Sequence, residues 1–309
     1  MTEQIKIDFE KTIKASSFSE RDAELKKGFL NKFIAKGFPS RKFESWKFSD
    51  MNQIIKKNIG ELSFYNDYSL SNKIDTSVFI DELEHNKIVF INGSVEKIDF
   101  AFEDKDKIEI NEATKPKDKP ENNNSLIDLN NAFIDKNYKI LVKENYSLNK
   151  PLIVYHTSNN KIKSKNINLR LEFELEKNSS LKLVDFFKDT SEKNFINIFY
   201  NFDLKKDAIL KNYKIDKIQN NNIKYSFNNI NQDENSVSET FILSAGSDFL
   251  KNEINCNLIG KYSSAFVNGI FSLTDNQHHE IRTTINHLTE NTKSYQLIKS
   301  VLGKDSKAV

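Results

Sequence analysis

Cysteine, proline and glycine are all scarce in this sequence of 309 residues, and each scarcity limits the sites or the structures that the chain can form. Cys256 is the only cysteine, so an intramolecular disulfide and a metal or cluster site made only of cysteines within one chain are excluded. The 8 glycines argue against the glycine-rich loops that cradle nucleotides. None of the 4 prolines follows Pro151, which favours strands that are paired on both sides beyond that point.

A strong charge imbalance and long apolar runs are also missing. The 46 basic and 44 acidic residues leave a formal net charge of +2, so no overall field attracts nucleic acid or a membrane surface. No apolar run approaches the ~20 residues of a membrane span, and the N-terminal residues contain no signal-peptide core or cleavage site. These absences predict a cytoplasmic protein that binds neither nucleic acid nor membrane.

Helices are predicted in the first part of the chain. Ser19 suits the N-cap of a helix that ends at Gly37, a residue type that favours the C-terminal cap. Pro39 ends this helix, and Ser40 can begin another whose apolar face includes Trp46. We interpret Trp46, the only tryptophan, as a core residue, with an exposed partner-binding tryptophan as the alternative.

Apolar residues become sparse between Asp104 and Asn124, in a charged and asparagine-rich stretch. That composition predicts a loop or linker. A short helix is predicted next, over Ser125–Phe133, with Ser125 as its cap. We therefore expect an N-terminal helical or α+β domain with its linker over residues 1–125 and a mainly β core over residues 126–309.

Alternating polarity dominates the chain from Tyr138 onward and predicts twelve strands. The clearest alternation is Ile167–Glu176, in which Arg170 and Glu172 belong to a face that we expect to be solvated. Twelve strands without intervening helices fit either an antiparallel sandwich or barrel, or a β-solenoid with about 28 residues in each coil. Periodicity alone does not choose between these two architectures.

No residue pattern in the sequence indicates catalysis. His278, His279 and Glu280, with His287, form the densest group of possible metal ligands. His279 and His287 would share one face of a strand but lie about 27 Å apart, too far to bind a single metal ion. We interpret the histidines as ordinary turn and strand residues and Cys256 as a small buried apolar residue. We predict no catalytic, cofactor-binding or metal-binding residue.

One segment, Gly37-Phe-Pro-Ser-Arg-Lys-Phe-Glu-Ser-Trp-Lys-Phe-Ser-Asp50, resembles the N-terminal signature of the SufD family of Fe–S cluster assembly proteins. That signature reads Gly-Leu-Pro-(Thr/Ser)-Arg-Lys-x-Glu-x-Trp-Lys-Tyr-(Thr/Ser). Further stretches resemble family segments in the same order: Val89–Gly93, Leu129–Phe133 followed by Pro151-Leu-Ile-Val, and Thr283–His287 with Thr292–Tyr295. The related SufB proteins share the β region but lack the Arg-Lys-x-Glu-x-Trp pattern, so the likeness favours SufD.

The resemblance implies a mainly β fold, a right-handed parallel β-helix (β-solenoid) preceded by a small helical or α+β domain. It also implies a non-catalytic, cytoplasmic scaffold subunit of the SUF complex that pairs with a SufB-like paralogue and a SufC-like ATPase. Iron or an Fe–S cluster would be bound only through the assembled complex. The residues that match the family segments are candidates for structural or partner-binding roles: Pro39, Arg41, Lys42, Glu44, Trp46, Asn92, Gly93 and His287.

The resemblance further implies that the family's last coils and C-terminal helical domain are not in this sequence. Those parts hold the family's Cys-Ser-His-Gly segment and its SufC-binding region, so we expect an incomplete β-helix with an uncapped end. Two other functions remain alternatives. One is a carbohydrate-active β-helix enzyme, a lyase or hydrolase, which would need carboxylates in an exposed groove. The other is a generic all-β protein-interaction module.

Overall fold

A computed structural model describes residues 2–16, 18–66, 76–113, 124–158, 162–188, 193–218 and 222–309. The loop predicted between Asp104 and Asn124 is wrong for Ile108–Ala113, which form a strand because they pair with the strand Asn137–Val142. Residues 114–123 of the same predicted loop lie outside the described residues.

The helices of the described residues precede most of the strands along the chain. They are α1 (Thr2–Ala15), α2 (Glu20–Lys36), α3 (Met51–Asn58) and α4 (Ser125–Phe133). The predicted ends of α2 are confirmed. Ser19 Oγ accepts a hydrogen bond from the Asp22 amide at 3.2 Å, and Gly37 has a φ of 69°, in the left-handed region that favours glycine.

Two helix starts were predicted at the wrong residue. Ser40 begins no α-helix: the only helical residues near it are a 3-10 turn, Glu44–Trp46, and α3 begins after Asp50, whose side chain accepts a hydrogen bond from the first turn. The cap of α4 is Asn124, not Ser125, because the Asn124 side chain accepts an amide of the first turn. Serine, asparagine and aspartate are similarly good caps, so residue type alone does not choose among neighbours.

The strands form two sheets, and most successive strands along the chain belong to the two sheets in turn. Those of the described residues are β1 (Asn86–Ile91), β2 (Ser94–Asp99), β3 (Ile108–Ala113), β4 (Asn137–Val142), β5 (Leu152–Thr157), β6 (Asn166–Leu175), β7 (Ser180–Phe187), β8 (Phe195–Leu204), β9 (Ile209–Ile218), β10 (Ile223–Gln232), β11 (Val237–Gly246), β12 (Phe249–Leu258), β13 (Ser264–Leu273), β14 (His278–His287), β15 (Lys293–Leu302) and β16 (Lys307–Ala308).

The pairing of these strands defines a parallel β-solenoid. One sheet has the order β15-β13-β11-β9-β7-β5-β1-β2, and the other has the order β16-β14-β12-β10-β8-β6-β4-β3. Among the described strands, only β1 with β2 and β3 with β4 pair antiparallel. The parallel β-helix expected from the resemblance is therefore confirmed, and the antiparallel sandwich or barrel is wrong.

The twelve predicted strands correspond to β4–β15, with ends that differ by a few residues. The strands before them also belong to the two sheets, since β1 pairs in parallel with β5. The division of the chain into domains near residue 125 stays a prediction.

A left-handed residue recurs at one corner of the successive coils. These residues have φ angles between 56° and 64°: Asn178, Asp207, Asn235, Tyr262 and Asn291. The amide of Asn178 donates to the Lys206 carbonyl of the following coil at 2.9 Å. Asparagine and aspartate tolerate this conformation better than most residues, which explains how the chain turns so often with few glycines. Their recurrence at about 28 residues is a repeat signal that the polarity pattern alone did not reveal.

The strand β6 is buried on both faces, which contradicts the solvated face predicted for it. Ile167 and Leu169 pack inside the solenoid. On the other face Arg170 is buried beneath α4, where its Nη1 donates to Asn131 Oδ1 at 2.6 Å and its Nη2 lies 3.1 Å from Glu172 Oε1. Alternation shows which side chains point in opposite directions, but it does not show whether a helix covers the polar side.

Buried ion pairs lie inside the solenoid between the two sheets. Lys224 pairs with Asp216, and both side chains are 0% exposed. Lys214 Nζ lies 2.5 Å from Asp185 Oδ2, and His156 Nε2 lies 2.7 Å from Asp185 Oδ1. Burial alone would raise the pKa of Asp185, but Lys214 and His156 outweigh burial and hold it well below its usual range. Each of these buried charges therefore depends on its partner.

We predict that Asp216→Ala lowers the free energy of unfolding by about 3–5 kcal/mol, because it leaves the Lys224 ammonium buried without its partner. The double substitution Asp216→Leu with Lys224→Met should recover most of this loss, since it removes both charges. Urea unfolding followed by circular dichroism measures both changes. Glu290→Ala is the control, because Glu290 pairs with Lys261 at side-chain exposures of 67% and 54%. A single variant as stable as the wild type would contradict the prediction.

Candidate functional site

The signature segment, Gly37–Asp50, is folded against the outside of the sheet that contains β8, β10, β12 and β14. The Pro39 carbonyl accepts the amide of Met51 at 3.0 Å, which closes the segment into a compact loop. Phe38, at its start, is buried, with its ring centroid 6.3 Å from that of Phe195 in β8. Aromatic packing and a backbone hydrogen bond therefore position the residues between them.

Trp46 lies in the core, at 3% exposure, which agrees with its interpretation as a core residue. Its ring packs against Tyr225 of β10, with 5.7 Å between centroids. The Lys251 ammonium of β12 lies 4.7 Å from the Trp46 ring centroid. Lys251 Nζ also donates to the Ser45 carbonyl at 2.8 Å. A single lysine thus holds both the indole ring and the backbone beside it.

Lys251 is itself fixed by an ion pair across two neighbouring strands. Its Nζ lies 2.5 Å from Glu280 Oε2 of β14, and His278 Nε2 lies 2.9 Å from Glu280 Oε1. Burial alone would raise the pKa of Glu280, but the His278 and Lys251 contacts outweigh it and lower that pKa to about 2. Glu280 therefore stays ionised at neutral pH and keeps Lys251 in place.

A cleft of about 390 Å³ opens between the signature segment and the same sheet. It is lined by residues of the segment, of the sheet and of the neighbouring ends of α2 and α4: Lys36, Pro39, Phe43, Glu44, Ser45, Trp46, Asn124, Ser125, Phe227, Glu253, Ile254, Asn255, Arg282 and Thr284. Its volume is within the range of about 300–1,000 Å³ that small-molecule sites occupy. The cleft is the candidate functional site.

Two opposite charges lie side by side in the cleft wall. Glu253 of β12 is the register partner of Arg282 of β14, so their backbones are about 4.8 Å apart. Glu253 is buried, and its Oε1 accepts no hydrogen bond from the described residues. Burial raises the pKa of Glu253, opposed by the positive charges of Lys251 and Arg282. The Tyr225 hydroxyl hydrogen-bonds to the same carboxyl group.

The structure brings together only some of the candidate residues of the signature segment. Pro39, Glu44 and Trp46 line the cleft, whereas Arg41 and Lys42 are exposed and do not line it. The side chains of Arg41 and Lys42 therefore lie at the solvent-exposed surface. Roles of these residues in partner binding stay predictions.

The remaining candidates lie elsewhere. Asn92 and Gly93 form the turn between β1 and β2, where Asn92 has a φ of 54°. A Cβ atom on Gly93 would lie 2.8 Å from Ile167 Cγ2, so close packing requires glycine there. His287 is at the end of β14, and its Nδ1 lies 2.6 Å from Thr292 Oγ1. These three residues have local structural explanations and do not contribute to the cleft.

Sequence reasoning missed Lys251, Glu253 and Arg282, and it considered Glu280 only as a possible metal ligand, not as the partner of Lys251. The available signal was an alternation of charge in phase with Phe249, repeated one coil later. That signal is weak, because charged residues on one side of a strand usually face water.

The described residues contain neither a metal-binding cluster nor a membrane-spanning helix. Within them, no group of three or more histidine, cysteine, aspartate or glutamate side chains is arranged to hold a metal ion. Cys256 is buried as predicted, and burial raises the pKa of its thiol to about 12. Among the described helices, none combines the length and apolar character needed to cross a membrane.

The stacked coils and the N-terminal helices place the chain among the parallel β-solenoid proteins. Residues 156–309, about half of the chain, match the family model described as "SUF system FeS cluster assembly, SufBD core domain". The match identifies this part as a SufBD core domain and supports membership of the SufB/SufD family. Such a core indicates involvement in Fe–S cluster assembly by the SUF system, which works as a multiprotein complex. Proteins of the SufB/SufD family are generally non-catalytic components of this assembly. No curated protein matches the chain.

We predict that Trp46→Ala lowers the free energy of unfolding by about 3–5 kcal/mol, the cost of removing a large buried aromatic side chain. Phe48→Ala is the matched control, because Phe48 is in the same segment but is 42% exposed and should matter much less. Chemical denaturation of both variants measures the difference. Equal losses in the two variants would show that Trp46 does not anchor the segment.

We also predict a pH dependence from Glu280. Because its pKa in the folded protein is below its usual value, its contribution to stability is present above about pH 4.5 and is lost as the pH falls towards 2. Glu280→Gln should therefore be less stable at pH 7 by about 3 kcal/mol and lose less stability between pH 4.5 and 2. Unfolding curves at several pH values test this. Parallel curves for variant and wild type would contradict it, and Glu290→Gln is the exposed control.

Proposed function

We propose that this protein is a non-catalytic scaffold subunit of a SUF-type Fe–S cluster assembly complex. It pairs with a SufB-like paralogue and serves a SufC-like ATPase, in the cytoplasm. Iron or an Fe–S cluster is bound only through the assembled complex. The observation that carries the proposal is the match of residues 156–309 to the SufBD core domain.

The structure supports a scaffold role through its rigidity. The successive strands β6, β8, β10, β12 and β14 pair over nearly their whole lengths in one continuous sheet. Such a stack holds distant surfaces at fixed separations, because each coil is positioned by its neighbours. A rigid spacer is what an assembly complex needs to present two partners to each other.

The signature segment favours a SufD-like over a SufB-like role. Its Arg-Lys-x-Glu-x-Trp pattern occupies Arg41 to Trp46, and the pattern is a feature of the SufD sequences that this chain resembles. Its buried members anchor the segment and its exposed members face solvent. The segment therefore contributes both to the fold and to the accessible surface.

Co-expression of the tagged chain with SufB and SufC from the same source tests the proposed function. We expect SufB to be retained on the tagged chain through affinity and size-exclusion chromatography, with SufC in the same complex. An unrelated β-solenoid protein with the same tag is the control. Retention of neither SufB nor SufC would contradict the proposal.

We predict that the double substitution Arg41→Glu with Lys42→Glu weakens association with the SUF partners by about tenfold or more, as reversal of exposed interface charges does. Both side chains are exposed, so folding should be preserved. Lys27→Glu on the exposed side of α2 is the charge-reversal control. The measurement is the dissociation constant at two salt concentrations. Unchanged affinity would show that these two residues lie outside the interface.

A further inference from the structure

The described helices pack against one of the two sheets. Their buried apolar side chains cluster with residues such as Phe195, Tyr225 and Phe249, which belong to β8, β10 and β12. Among the described residues, the other sheet contributes none to this cluster. The outward surface of β7, β9, β11, β13 and β15 therefore lies outside the helical layer, although a sheet usually buries its apolar face against another element.

That outward surface is rich in apolar side chains. Leu210, Ile242 and Val267 of the same strands belong to the solenoid core, so the residues that alternate with them point outward. The register aligns the outward residues in two adjacent columns, which together form the open face: Val184, Tyr213, Phe241, Asn268 and Leu297 in the first, and Phe186, Ile215, Leu243, Ile270 and Lys299 in the second. Tyr213, Ile270 and Leu297 are 39%, 36% and 43% exposed. Contiguous exposed apolar surface of this kind marks interaction sites.

The protein itself covers the beginning of the second column. Tyr155 of β5 is the register partner of Phe186, and its ring centroid lies 5.0 Å from that of Phe79. Phe79 and Ile80 pack on the apolar cluster that contains Tyr155, and Lys188 Nζ donates to the Ser77 carbonyl at 2.9 Å. An apolar segment thus covers this surface at its first coils, and the same kind of surface continues uncovered from β9 onward.

Lysines dominate the charges at the outward positions of these strands. Lys182 and Lys211 are register partners beside the first column, and Lys299 belongs to the second. At the described outward positions Glu239 is the only acidic residue, and its Oε2 lies 3.2 Å from Lys211 Nζ. The open face is therefore positively charged, which disfavours a second copy of itself and attracts an acidic partner.

We propose that the open face binds an acidic amphipathic helix of a partner protein. One helical turn rises about 5.4 Å and adjacent strands are about 4.8 Å apart, so each turn places an apolar side chain near one strand. The first column spans about 19 Å from Val184 to Leu297, the length of about 13 helical residues. Carboxylates on one flank of the helix face Lys182 and Lys211. Because this contact is separate from those with the proposed SUF partners, its test can fail without affecting theirs.

The test measures binding of synthetic peptides to the full chain by fluorescence polarisation. The acidic probe is a peptide of about 16 residues with leucine at every third or fourth position, glutamate along one flank and alanine elsewhere. A lysine peptide replaces each glutamate by lysine, and a shuffled peptide spreads the leucines around the helix. We expect the acidic probe to bind with a dissociation constant of about 100 μM or below at low salt, and both other peptides to bind at least about tenfold more weakly.

One pair of variants tests the apolar columns. Tyr213→Thr with Ile270→Thr should weaken binding of the acidic probe by about tenfold or more, because it truncates two exposed side chains of the open face. Threonine suits a strand, and thermal unfolding confirms that the variant is folded. Ile7→Thr with Phe48→Thr is the matched control, since these side chains are exposed elsewhere, and it should bind as the wild type does.

A second pair tests the charges. Lys182→Gln with Lys299→Gln should weaken binding of the acidic probe by about threefold or more and reduce its dependence on salt. Both lysines are exposed, so folding should be preserved. Lys27→Gln with Lys56→Gln, at exposed positions of α2 and α3, removes the same charge and should leave binding unchanged.

Several outcomes would overturn the proposal. They are no binding of the acidic probe at about 1 mM, equal binding of the lysine or shuffled peptide, and wild-type binding by either open-face variant. Sedimentation of the chain alone tests a second copy as the occupant, and a dimer that Tyr213→Thr with Ile270→Thr abolishes would assign the face to it. Vesicles of phosphatidylcholine and phosphatidylserine test a membrane, which retention of the chain without binding of the acidic probe would favour instead.

Discussion

The in-register stacking of parallel strands is the constraint on which the rest of the structure depends. Each residue lies beside the same position of the next coil, about 4.8 Å away, so Tyr225, Lys251 and Glu280 form one column across β10, β12 and β14. A slip of one residue would exchange the interior and exterior sides of a strand. At the corners, the amides of Asn178, Asp207 and Asn235 each donate to a carbonyl of the following coil and so support this register. The sheet side of the cleft is built from such columns.

The strands could be predicted from the sequence because the period of two is a local property. Their pairing could not, since a strand such as β6 has the same alternation in an antiparallel sandwich as in a solenoid, and only the resemblance distinguished the two. The solvent exposure of Arg170 was also beyond local reasoning. It depends on α4, which lies about 40 residues earlier in the chain and covers that part of the sheet.

The candidate site was less predictable than the fold. The signature segment was recognised, and Trp46 was correctly interpreted as buried, because a lone tryptophan in an apolar helical pattern usually belongs to a core. Its partner Lys251 is 205 residues away in sequence, and nothing in the local pattern of β12 distinguishes a lysine that contacts an indole from one in water. Glu253 and Arg282 were missed for the same reason, since their column exists only after the coils are stacked.

The position of Lys251 explains both the anchored segment and the weaker pairing of Glu253. Lys251 lies between two carboxylates, and it pairs with Glu280 at 2.5 Å but remains 3.9 Å from Glu253. In that position its ammonium also reaches the Ser45 carbonyl and the Trp46 ring. Moving Lys251 towards Glu253 would weaken the contacts that hold the signature segment. The fixed segment and the longer distance between Lys251 and Glu253 are therefore two consequences of one lysine position.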